Sequence, residues 1–123
     1  MPDAKQMTAV VHAYVAAFER KDAEAIAALY AQECTVEDPV GSPPKRGHEA
    51  VRAFYIKAME SGARLTLEGP VRTADCYAAF AFSVHLSADG PKRIDVIDTF
   101  KFDEDRRIVE MRAFWGPPNY HSL

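Results

Sequence analysis

The apolar residues of this chain change their period once, near Ser61, and that change restricts the fold more than any other feature of the sequence. Before Ser61 they recur at intervals of three and four; after it they alternate. Met7, Val10, Val11, Tyr14, Val15 and Phe18 form one stripe, which predicts an amphipathic helix running to about Arg20. Asp22 is placed to cap a short second helix carrying Ala25, Ile26, Leu29 and Tyr30, and Val51, Phe54, Tyr55, Ala58 and Met59 mark a third. Between them Thr35 to Asp38 reads as a brief strand. Pro39 ends it and biases Asp38 towards an extended backbone. Gly41 to Gly47 has the composition of a loop. Beyond Ser61, alternation runs through Leu65 and Leu67, through Ala78, Phe80, Phe82, Val84 and Leu86, through Ile94 to Phe102, and through Val109, Met111, Ala113 and Trp115. Helices followed by hairpin-linked strands predict an α+β fold of three N-terminal helices packed on a curved, mostly antiparallel sheet.

With 123 residues, 48% of them hydrophobic, the chain fits one domain spanning residues 1–123 and leaves no room for a separate cofactor domain. The net charge is −3 and the basic residues are scattered, so the electrostatic footprint of a nucleic-acid binder is missing. No apolar run approaches the roughly 18 residues of a membrane span, and the polar start lacks the basic and apolar regions of a signal peptide. A cytoplasmic protein is expected. Cys34 and Cys76 are then expected to be free thiols. The four histidines, at 12, 48, 85 and 121, have no metal-ligand spacing, and no metal is assigned. The 41–47 segment has the wrong glycine spacing for a phosphate loop, and its two prolines remove amide donors.

Asp98 stands out from this pattern. Alternation from Ile94 to Phe102 puts Ile94, Val96, Asp98, Phe100 and Phe102 on one face, which is apolar except for that carboxyl. Burying an unpartnered carboxylate costs several kcal/mol or more, so such a group is paired, held neutral by a raised pKa, or turned outward by a bulge. A neutral acid in an apolar pocket is a hydrogen-bond donor. The same parity puts Asp38 with Cys34 and Val36 and makes it, rather than Glu37, the inward acid, although Asp before Pro is also an ordinary turn pair. Tyr14 lies in the stripe of the first helix, where a tyrosine is also common as core. A sheet wrapped on these helices would bring all three to one cavity, lined by Phe54, Phe82, Val84, Phe100, Met111 and Trp115 and suited to an apolar small molecule. An ionised carboxylate facing a phenol and a neutral acid suits proton abstraction beside a carbonyl, the two donors stabilising the oxyanion.

The segments Met7 to Ala17, Thr35 to Gly41, Phe54-Tyr55, Ala79 to Phe82, Ile97-Asp98 and Met111 to Ala113 together resemble bacterial steroid Δ5-isomerase, the ketosteroid isomerase family, in order and with nearly constant spacing. The resemblance implies a cone-shaped fold of the nuclear-transport-factor-2-like type, a homodimer, a steroid substrate and no cofactor. It implies that Asp38 is the proton-shuttling base and that Tyr14 and Asp98 are the oxyanion donors. It also implies that Asp98 stays protonated, since this family is itself the general illustration of an acid kept neutral by an apolar site. Tyr30 and Tyr55 match tyrosines that extend a hydrogen-bond network in some members, and both are equally readable as helix-face core. Trp115 matches a pocket aromatic, a position that sheet packing alone would also fill. The fold class hosts other tasks, so a non-catalytic binder of apolar ligands and a dehydratase or cyclase stand as alternatives.

Overall fold

A computed structural model describes residues 2–123 and gives the expected class. The chain runs α1 (Ala4–Glu19), α2 (Ala23–Ala27), β1 (Tyr30–Glu37), β2 (Lys45–Arg46), α3 (His48–Glu60), β3 (Arg64–Ala74), β4 (Tyr77–Leu86), β5 (Lys92–Phe102), β6 (Ile108–Phe114), a 3-10 turn (Pro117–Asn119) and β7 (Tyr120–Ser122). Helix α1 starts earlier than its apolar stripe because Asp3 and Gln6 form a capping box: Gln6 N donates to Asp3 Oδ1 at 2.8 Å and Asp3 N to Gln6 Oε1 at 2.9 Å. Asp22 caps α2 by accepting from Ala25 N at 3.0 Å.

The sheet has the order β2-β1-β6-β5-β4-β3, with β7 added to β5. All pairs are antiparallel except β1 with β6. That parallel pair explains two departures from the sequence expectations. Helix α2 stops at Ala27, two residues short of Leu29, because the Leu29 carbonyl accepts from Ile108 N at 2.8 Å and Tyr30 enters the ladder opposite Ile108. Tyr30 is therefore a strand residue, and β1 begins five positions before Thr35. On the other side of β6 the register slips, from Lys101 opposite Glu110 to Phe102 opposite Ile108. Ile108 takes the buried place and Val109, expected inside, is left half-exposed.

One face of the sheet is the core. Phe80, Phe82, Val96, Phe100, Phe102 and Met111 pack there against Met7, Val11, Tyr14 and Phe18 of α1 and Val51, Tyr55 and Met59 of α3. The aromatic rings contact mainly edge to face, Phe100 lying 5.1 Å from both Tyr14 and Phe80 between centroids. Helix α1 lies over β3 and β4 and helix α3 over β1, so the helices grip the two flanks of the sheet and leave a cleft between them over β5.

Candidate active site

Strand alternation delivers two carboxyls to that cleft. Asp98 sits in the middle of β5, flanked by Phe80 on β4 and Ala113 on β6. Asp38 follows the last residue of β1 and continues the inward row of Cys34 and Val36. Glu37, with the opposite parity, faces outward, where it accepts from Arg112 Nε at 3.0 Å and from Gly41 N at 3.1 Å. The Gly41 amide first and the Arg112 guanidinium second hold its carboxyl below the usual range. The pairing of two adjacent acids with two different environments follows from the two-residue strand period.

The cleft encloses about 670 Å³, its open mouth included. Tyr14, Asp38 and Asp98 line it together with Phe54, Tyr55, Phe82, Val84 and Trp115. Two expected lining residues, and one of the two tyrosines matched to the network, lie outside its walls. Tyr30, Phe100 and Met111 are buried in the core and do not wall the cleft. Phe100 shares the face of Asp98 but lies deeper, covered by Tyr14, Phe80 and Tyr30, and Met111 is its cross-strand partner. Parity identifies the face but not the depth at which the cavity ends. The expectation in turn omits Ile94 and Val96 on the face of Asp98, Leu65 and Leu86 on the flanking strands, and Phe18, Ala58, Ser61 and Ala63 at the helix ends. The alternation quoted for Asp98 already contained the signal for Ile94 and Val96.

The two acids differ in exposure. Asp98 is 1% exposed, and its Oδ1 is buried with no hydrogen-bond partner among the described residues. Burial, and secondarily the charge of Asp38, push its pKa well above the usual carboxylate range. Asp38 is half-buried and accepts from Trp115 Nε1 at 2.8 Å. Burial raises its pKa as well, while the indole bond opposes the rise. Asp98 is thus the drier acid and the one driven harder towards its neutral form.

Behind Tyr14 stands a chain of phenols. Tyr14 Oη lies 3.2 Å from Tyr55 Oη, which lies 2.6 Å from Tyr30 Oη. Burial raises the pKa of Tyr14 well above its ordinary value, and the neighbouring Asp98 raises it further. Burial does the same to Tyr55 and Tyr30. Tyr30 therefore reaches the site at second hand, through Tyr55. Apart from Ser61 at the end of α3, the remaining walls are aliphatic or aromatic, so an apolar ligand entering the cleft meets mostly apolar surface. Among the described residues no group of three or more His, Cys, Asp and Glu is placed to hold a metal ion, and no helix is long and apolar enough to cross a membrane.

Residues 11–111 match the SnoaL-like domain family, a span that contains Tyr14, Asp38, Tyr55 and Asp98. Over 114 residues the chain is 40% identical to a steroid Δ-isomerase of Nocardioides simplex, with 91% of each protein covered. Its backbone also matches the structure of SalBIII, an epoxide hydrolase/cyclase-like enzyme in pyran ring formation in the polyether salinomycin, over 100% of both chains with a TM-score of 0.93. At 22% identity, that second likeness is one of fold. The helices and strands that wall the cleft lie largely within the matched span, and the chain belongs to the SnoaL-like, nuclear-transport-factor-2-like family.

Proposed function

We propose that this protein isomerises 3-oxo-Δ5-steroids to conjugated 3-oxo-Δ4-steroids. The observation that carries the reading is the pair of aspartates in one apolar cleft, one half-buried and bonded to an indole, the other dry with an unpartnered oxygen. The 40% identity to a steroid Δ-isomerase supports it. Ionised Asp38 removes a proton from C4, and the electron pair moves to the 3-oxo group to form a dienolate. The Tyr14 hydroxyl and the protonated Asp98 carboxyl donate to that oxyanion. Protonated Asp38 then returns the proton at C6, so one carboxyl serves both transfers and the base ends ionised, as it began.

The network of Tyr30 and Tyr55 supports the phenol in this role. In the free protein the Tyr14 hydroxyl donates to Tyr55. When it turns to the oxyanion its own oxygen gains negative character, and the Tyr55 hydroxyl, whose bond with Tyr30 can run in either direction, is then free to donate back to it. No cofactor takes part in this sequence, because the proton leaves and rejoins the same molecule. The resemblance also implies a homodimer, for which the exposed apolar residues on the outer face of the sheet offer an interface. There Ile97 and Phe114 are cross-strand partners, exposed by 48% and 43%.

Incubating the protein with androst-5-ene-3,17-dione and following conjugated-enone absorbance tests the reaction. Asp38→Asn should lower turnover by about 10²–10⁴-fold, the range for loss of a general base. Asp98→Ala should cost about 2–4 kcal/mol of transition-state stabilisation, and Asp98→Asn less, because an amide still donates. Absence of enone formation by the wild-type protein, with steroid still bound, would leave it a binder.

A further inference from the structure

Strand β7 places one more aromatic residue on the cleft face of the sheet, next to the residues that wall the cleft. Tyr120 pairs with Ile94 on β5, and directly opposed residues of an antiparallel pair project to the same face. Ile94 lines the cleft. Along this edge of β5, Ala113 therefore stands opposite Asp98, Trp115 follows one inward position later, and Tyr120 stands opposite Ile94 after the turn Gly116 to Asn119 is looped out. Tyr120 extends the row that begins at the acids.

Its distance from the reacting end matches a ligand of steroid size. Ile94 is four residues from Asp98, about 13 Å along an extended strand. A four-ring skeleton with its carbonyl against Asp98 ends near that level. The walls there, Leu65, Val84, Leu86 and Ile94, are aliphatic and lie on the strands themselves. Tyr120 sits instead on the short edge strand, 40% exposed, with apolar ring surface still open to water. Two anchors hold that strand: its ladder to Lys92, Arg93 and Ile94, and His121, whose Nε2 lies 3.0 Å from Asp95 Oδ2, itself bonded by Arg93 Nε at 3.0 Å. The strand that carries Tyr120 is thus held beside Ile94, and its side chain is left partly exposed.

We infer that Tyr120 is a specificity-determining residue, its ring covering the end of the steroid remote from the enolised carbonyl. This rests on the reading of the cleft as a steroid site. The ring acts by apolar contact in both ground and transition states, so it contributes uniform binding and leaves the chemical step alone.

Two 3-oxo-Δ5-steroids that differ only at C17, one a ketone and one carrying an acetyl group, test it with Tyr120→Ala and Tyr120→Phe. Tyr120→Ala should raise KM for the 17-ketone about three- to tenfold, the scale of losing part of one ring's contact. Its kcat should stay within about twofold. The rise should be smaller for the 17-acetyl substrate, whose bulk fills the vacated space, so the ratio of kcat/KM shifts towards it. Tyr120→Phe should match the wild type on both. Unchanged KM in Tyr120→Ala, equal losses for the two substrates, or a fall in kcat alone would overturn the inference. Should Tyr120→Ala not fold, Tyr120→Leu must give the same ordering or the inference fails.

Binding of the product androst-4-ene-3,17-dione, followed through Trp115, the single tryptophan of the chain, gives a readout without turnover. A protein that binds the product but isomerises nothing loses the proposed reaction, and a higher Kd in Tyr120→Ala would still uphold the role of Tyr120. An equal Kd would remove it.

Discussion

The indole N–H of Trp115 donates to Asp38 Oδ1 at 2.8 Å across 77 residues of sequence. Asp38 lies just past β1 and Trp115 just past β6, and these are the two parallel neighbours in the sheet. The proposed base is therefore held from the side, by a donor that binds one oxygen and leaves the other for the proton in transit. The same bond sets the acidity of Asp38 against its burial.

Trp115→Phe removes that donor and keeps the ring. Burial raises the pKa of Asp38 and the indole bond lowers it, so the variant should have the higher value. Because the base works ionised, the acid limb of the kcat/KM profile should move to higher pH. Above that limb the loss should stay within about tenfold, the effect of looser positioning. A limb that stays in place in the variant would show that the bond does not tune the base.

Asp98 carries a stability signature of its own. Its folded pKa is raised, by burial first and by Asp38 second, while in the unfolded chain it titrates as an ordinary Asp. The native state thus holds a proton that the unfolded state releases above about pH 4. Its contribution is fully present below that pH and is lost as pH rises towards the folded value, by about 1.4 kcal/mol per unit. Asp98→Asn cannot titrate, so chemical denaturation at a series of pH values should find the variant gaining on the wild type as pH rises. Parallel stability curves would mean that Asp98 ionises normally in the folded protein.

Tyr55→Phe cuts both links of the phenol chain and leaves Tyr14 able to donate. The fall in kcat should be smaller than that of Tyr14→Phe, for which loss of an oxyanion donor sets a scale of about 10²–10³. Adding Tyr30→Phe to Tyr55→Phe should change little, because Tyr30 reaches Tyr14 only through Tyr55. Additive losses would place Tyr30 in direct service of the site.

For the proposed dimer, Ile97→Glu puts a charge in the centre of the exposed pair with Phe114. Sedimentation analysis should find the wild type as a dimer and the variant shifted to monomer at the same concentration, since burying an unpaired carboxylate in an interface is costly. A monomeric wild type would dismiss the assembly.

The two-residue strand period made Asp38 and Asp98 legible in the sequence, because one polar residue on an apolar face is visible without coordinates. It also separated Asp38 from Glu37, whose bonds to Arg112 and Gly41 lie on the other side of the sheet. What the period could not convey was depth: Phe100 and Asp98 share a face, yet Tyr14 and Phe80 seal the first and leave the second at the cleft. Nor could it convey register between distant segments. Tyr30 continued a helical stripe in the sequence and became a strand residue only because Ile108 bonds to Leu29. Strand β7 escaped notice for a related reason, since three residues after a Pro-Pro turn carry no periodicity of their own. The phenol network was expected only through the family resemblance; nothing in the spacing of Tyr14, Tyr30 and Tyr55 brings three hydroxyls together.

The parallel pairing of β1 with β6 also sets an order of assembly. Antiparallel neighbours can zip from a hairpin, but this pair joins segments separated by most of the sheet, and loop-closure entropy opposes it until β3, β4 and β5 are in place. Asp38 meets Trp115 only when that closure is made. In a refolding experiment, indole fluorescence should therefore mature with the slowest structural phase, and steroid binding with it. The proposed reaction centre would be among the last parts of the molecule to exist.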